Sequence, residues 1–131
     1  MKITKMILAV CIVAMMGISI ASEDAPPEHK KWMKDLGDAM GQIRKGVEVE
    51  QNASKMAAVM PEVKAFWAKR TSDVATKSVA DSENGARQAA EAAKAGDKVG
   101  ITAGMKLVGA GCKSCHDVHR EKISDTEYKI K

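Results

Sequence analysis

Between Asp97 and Ile123 the chain sets Ile101, Met105, Val108, Cys112, Cys115, His116, His119 and Ile123 at intervals of three and four residues, the spacing of one helix face. That stripe constrains the rest of the fold. It puts two thiols and an imidazole on the side of a helix that must pack against other helices. Gly96 closes the preceding segment and Asp97 is a natural N-cap, so this helix is expected to run from Asp97 to about Ile123.

The same periodicity recurs upstream. A first helix opens at Pro26-Pro27, which suit a helix start, and carries Trp32, Met33, Leu36, Ala39, Met40, Ile43 and Val47 on one side. A second covers residues 48–60 with Val49, Ala53, Met56, Ala57 and Met60, and Pro61 is expected to end or bend it. A third begins near Glu62 and reaches about Ala95, with Val63, Phe66, Trp67, Val74, Val79, Ala86, Ala89, Ala90 and Ala93 facing inward. The DSENG stretch at 81–85 is a place for it to kink or split. No segment alternates apolar and polar residues as a half-buried strand would, and there is no repeat. The pattern predicts an all-α, antiparallel four-helix bundle.

Residues 1–21, MKITKMILAVCIVAMMGISIA, combine Lys2 and Lys5, an apolar run from Met6 to Met16, and small residues at Ser19 and Ala21. This is the pattern of a cleaved secretory signal peptide. The run is short for a bilayer and no stop-transfer charges follow it, so no membrane anchor is expected after cleavage. Leu8-Ala9-Val10-Cys11 departs from a lipid-attachment signal, because Val10 stands where a small residue is wanted. Cleavage after Ala21 leaves a single domain, residues 22–131. It removes Lys2 and Lys5 and no acid, which lowers the 21 basic residues to 19 against 17 acidic ones. The charges are interspersed, with no basic run and few aromatics to stack on bases, which excludes a nucleic-acid role.

Of the three cysteines, Cys11 leaves with the leader, and Cys112 and Cys115 remain in Cys112-Lys113-Ser114-Cys115-His116. Four readings compete. A thioredoxin-like dithiol wants its CxxC at the start of a helix after a strand, whereas this one lies late in a helical chain. A structural zinc site needs four ligands, and only His29, His116 and His119 could join the cysteines, without paired spacing. Two merely buried thiols would leave reactive groups unexplained in an exported protein. C-x-x-C-H is the signature of c-type haem attachment, in which two thioethers hold the macrocycle and the adjacent imidazole takes the iron. Composition supports that last reading. Trp32, Phe66, Trp67 and Tyr128 are the only aromatics, and a flat, mostly apolar haem c would fill the core they leave thin.

With these residues in place, the chain resembles the class II cytochromes c, the family around cytochrome c′. LVGAGCKSCHDVHREK is similar to that family's helix-borne attachment segment, including a basic residue four after the ligand histidine, here Arg120. His119 stands where the family often has an aromatic. HKKWMKDLGDAMG resembles the low-spin members, with Met33 at the ligand position and His29 where an arginine is common. The resemblance implies a four-helix bundle with one covalent haem. Cys112 and Cys115 form the thioethers, His116 is the proximal iron ligand and Met33 the distal one. Arg120, i+4 from His116 on the expected helix, is a candidate contact for a haem propionate. The function implied is a periplasmic soluble electron carrier that meets redox partner proteins and is not an enzyme. If Met33 does not bind, the resemblance is to high-spin members that take nitric oxide or carbon monoxide at an open distal site. It also implies a homodimer paired through the first two helices.

Overall fold

The structure, a computed structural model, describes residues 22–131. The expected leader, residues 1–21 with Cys11, lies outside the described residues. Among them, β1 (Glu23–Asp24) precedes four helices: α1 (Pro27–Arg44), α2 (Val49–Ala68), α3 (Asp73–Lys94) and α4 (Lys98–His119). β2 (Arg120–Lys122) and β3 (Tyr128–Ile130) complete the chain. No helix among them is long and apolar enough to cross a membrane.

Local chemistry sets most helix ends. Pro26 and Pro27 open α1, with fixed φ and no amide to leave unpaired. Gly46 turns the chain at φ +72°, a conformation that costs glycine little. The Ser72 hydroxyl caps α3 by accepting the Ala75 amide at 3.2 Å, and Asp97 caps α4 by accepting the Gly100 amide at 3.0 Å.

Four boundary expectations are corrected. α2 runs through Pro61 to Ala68, because Met56, Met60, Val63 and Trp67 stay in phase on its buried face. Their burial outweighs the one hydrogen bond that proline cannot make. The break falls instead at Thr71, which adopts φ +53° just before the Ser72 cap. The DSENG stretch neither kinks nor splits α3. Finally, α4 ends at His119 rather than near Ile123, and the chain turns into strands where none were expected.

The helices pack in chain order, α1 on α2, α2 on α3 and α3 on α4. Successive contacts between α3 and α4 run antiparallel, from Ser72 beside His119, through Ser82 beside Val108, to Gly85 beside Gly104. The seam is backbone-close. A Cβ on Gly85 would stand 2.5 Å from the Gly104 carbonyl oxygen, and one on Gly111 would stand 2.6 Å from that of Ser78. Gly85 is therefore a packing glycine and not a helix breaker. Met56, Met60, Val63, Trp67, Ala86, Ala89 and Val108 form the core around this seam. Val47, Val74 and Ile123, expected on inward stripes, are exposed; all three lie at or beyond the observed helix ends.

α1 and α4 make no comparable contact. Their ends are joined instead by the small antiparallel sheet, in the order β1-β3-β2, with Glu23 opposite Ile130 and Arg120 opposite Ile130 on its other side.

Candidate functional site

The space between α1 and α4 is a cavity of about 550 Å³. Well-packed interiors leave few voids larger than a water molecule, and clefts of this size are ordinarily ligand sites. Its walls are largely apolar: Met33, Leu36 and Met40 from α1, Met60, Val63 and Trp67 from α2, and Val79 from α3. A second groove, between α1 and α2, is bordered by Asp35, Asp38, Glu48 and Lys55 and contains none of the residues that the sequence singles out.

All five of those residues reach the first cavity. Cys112, Cys115 and His116 line it from α4, Met33 from α1 and Arg120 from β2. Arg120 arrives by a different route from the one expected. It is the C-cap of α4, in extended conformation, and not one turn further along the helix. Its guanidinium carbon sits 5.5 Å from the centre of the Tyr128 ring, within range of a cation–π contact.

Cys112 and Cys115 are both free thiols and half-buried. Gly111, pressed against Ser78 and Ser82 of α3, seats the turn that presents them. Burial pushes the Cys112 thiol up, against a hydrogen bond from Ser82, whose Oγ lies 4.0 Å from Cys112 Sγ. Burial, and then the neighbouring Cys112, push the Cys115 thiol up to about 11. These are not the low-pKa cysteines of a dithiol oxidoreductase. No cluster of three or more His, Cys, Asp or Glu side chains placed to hold a metal ion occurs among the described residues, which argues against a structural zinc site.

The three histidines divide by their hydrogen bonds. His119 has both ring nitrogens engaged: Nε2 lies 2.7 Å from Ser72 Oγ and Nδ1 lies 2.8 Å from the Lys131 carbonyl oxygen. The Lys131 main-chain oxygen only accepts, so Nδ1 carries a proton and donates to it. The ring is also stacked at 4.4 Å on Trp67. His29 is buried, with Nδ1 2.9 Å from the Tyr128 hydroxyl, inside a cage of Trp32, Phe66, Trp67 and Tyr128. Burial, then the Arg70 guanidinium and then His116, lower His29 to about 4. His116 alone faces the cavity without such a bond among the described residues. Burial and then the Arg120 guanidinium hold its pKa below the ordinary value, against Asp117, which favours the neutral imidazole that a metal requires.

The methionines divide in the same way. Met56 and Met60 are core residues, as expected. Met40 lines the cavity, but its sulfur lies 3.2 Å from the Arg44 guanidinium. Met33 lines the cavity without such a contact among the described residues. The donor set, two thiols three residues apart, a neutral imidazole beside them and a thioether on the opposite helix, fits a c-type haem.

Sequence reasoning missed the Gly111–Ser82 seat beneath the thiols and the His29–Tyr128 link across the mouth. The first left a trace, glycines seven residues apart at 104 and 111, opposite small residues on α3. The second had none, since nothing local pairs positions 29 and 128.

The fold and the cavity together define a class: a helical bundle with a large, mostly apolar cavity lined by a pair of thiols. No protein-family model and no solved structure matches the chain. A cytochrome c′ from Pararhodospirillum photometricum does, at 30% identity over 125 residues, covering 77% of this chain and the whole of that protein. The chain belongs to the cytochrome c′ family and is a c-type cytochrome.

Proposed function

We propose that the protein is an exported, periplasmic electron carrier. In this reading Cys112 and Cys115 hold haem c through two thioethers, with His116 as proximal ligand, Met33 as distal ligand and Arg120 beside a propionate. The observation that carries the reading is that Met33 of α1 and the Cys112, Cys115 and His116 group of α4 line one apolar cavity. The haem supplies a one-electron ferric–ferrous couple, its potential raised by a methionine axial ligand. His116 binds as the neutral imidazole. Met33 would hold the side of the haem opposite His116 and shield it from water and small ligands. The apolar wall of Leu36, Met60, Val63 and Val79 keeps the group dry, and Trp67 packs at the same wall. Beside the motif, His119 spends both ring nitrogens on Ser72 and Lys131. The partners of such a carrier are other redox proteins.

The second reading, a protein that binds nitric oxide or carbon monoxide, rests on the same cavity with Met33 standing aside as part of its apolar lining. Carbon monoxide separates the two. Added to the reduced protein, it leaves the absorption spectrum unchanged over the time in which it fully converts the Met33→Ala variant. Immediate conversion of the unsubstituted protein would make gas binding the function.

A further inference from the structure

The sheet at the mouth of the cavity joins two helices that do not otherwise pack together. From the α4 side, β2 continues the helix directly, and β3 returns along it with Arg120 opposite Ile130 and Lys122 opposite Tyr128. The return is fastened by His119, whose carbonyl accepts the Lys131 amide at 2.9 Å while its Nδ1–H donates to the Lys131 carbonyl at 2.8 Å. From the α1 side, β1 pairs with β3, Glu23 opposite Ile130 and Asp24 opposite Lys129. Lys30 and Glu127 add an exposed ion pair at 3.4 Å, of a kind that contributes little.

Ser22 Oγ bonds the Glu121 carboxylate of β2, Lys129 pairs with Asp24 at 3.7 Å, and a part-buried hydrogen bond joins the Tyr128 hydroxyl on β3 to His29 Nδ1 on α1. His29 is 5% exposed and its ring is held by aromatic neighbours on α1, α2 and β3. Met33 follows it by four residues, one turn along the same face of α1. Whatever fixes the approach of α1 at His29 therefore fixes the reach of Met33 one turn on. An axial ligand has to be held within about half an ångström to bind.

We propose that Tyr128 is a positioning residue for the sixth iron position. Through His29 it sets the spacing of α1 from α4, and residues 120–131 act as a strap that decides whether the distal side is closed by Met33 or open to a small ligand. This rests on the reading of Met33 as the distal ligand, and it adds the element that determines whether Met33 can bind.

The test uses the full-length, haem-loaded protein with Tyr128→Phe, which keeps the ring and removes only the hydroxyl, alongside His29→Phe and the double variant. The readouts are the ferric high-spin fraction and the association rate of carbon monoxide with the ferrous form. Each single variant is expected to raise both, the rate by about fivefold, the shift that loss of one hydrogen bond supplies. The double variant should add nothing beyond the singles, because both act through one bond. A merely stabilising role would lower the unfolding midpoint while leaving the folded spectrum and the rate alone, and that result overturns the proposal. So does full additivity of the two substitutions. If the unsubstituted protein is already high-spin, the Met33 reading has failed by itself. The strap is then judged on the carbon monoxide rate, where an increase in Tyr128→Phe supports it and an unchanged rate overturns it.

Discussion

His29 shows how one buried side chain ties pH to stability. Its folded pKa of about 4 lies below the ordinary 6.5, so between those values the unfolded chain binds more protons than the folded one. The stabilisation is whole above pH 6.5 and is lost as the pH falls toward 4, a total on the order of 3 kcal/mol. Urea midpoints measured from pH 7 to 4 should fall steeply for the protein and much less for His29→Phe. Equal slopes would mean that the ring is not held neutral in the aromatic cage. The sequence marks His29 only as standing where the family often carries an arginine, and Tyr128 from the far end of the chain makes it a buried neutral group. That Cys112, Cys115, His116 and Met33 reach one cavity was legible, because the motif keeps the first three together locally and Met33 lies on the apolar stripe of α1, whereas Arg120 reaches it as the C-cap of α4 and not along the helix. Partners brought in across nearly a hundred residues leave no such pattern.

Among the elements, α3 and α4 carry the closest packing and the attachment segment together. A Cβ at Gly111 would collide with Ser82 Oγ and lie 2.6 Å from the Ser78 carbonyl oxygen, and backbone cannot yield as a side-chain tip can. Gly111→Ala should therefore destabilise by roughly 1–3 kcal/mol by overpacking and reduce the fraction of chains carrying two thioethers, read by denaturant unfolding and intact mass. Gly41, in α1, meets nothing within 4 Å. Gly41→Ala should stabilise by up to about 1 kcal/mol, the ordinary helix preference for alanine. Gly111→Ala behaving like Gly41→Ala would show that the seam is looser than described. The helices themselves were legible from periodicity, and Pro26-Pro27 and Gly96-Asp97 mark helix ends as expected, whereas Pro61 and Gly85 do not. Pro61 lies inside α2 because the buried stripe from Met56 to Trp67 keeps its phase across it. Gly85 lies inside α3 because Gly104 needs the room. Strands of two and three residues are too short to display an alternating pattern, so the sheet could not be read from sequence.

At the scale of the whole molecule, a four-helix chain has been left open along one side. α1 and α4 stand apart around about 550 Å³ of largely apolar space, bridged at one end by a strap, in a protein too poor in aromatic side chains to fill it. The shortage of aromatics foretold a non-protein core. Its location followed from the cysteine spacing, and the structure brings Met33 and Arg120 to the same cavity. Anchoring is the first consequence to check. With Cys112→Ala or Cys115→Ala, intact mass and the pyridine haemochrome spectrum should report one thioether in place of two. Two thioethers after either change would overturn the attachment assignment.

The central claim is that Met33 and His116 bind one iron from opposite sides. The ferric protein, examined by electron paramagnetic resonance and by near-infrared absorption, should give a low-spin signal with the weak charge-transfer band of sulfur ligation. Both should disappear in Met33→Ala while the two thioethers remain. A high-spin spectrum in the unsubstituted protein, or a low-spin spectrum that survives the loss of Met33, would contradict it.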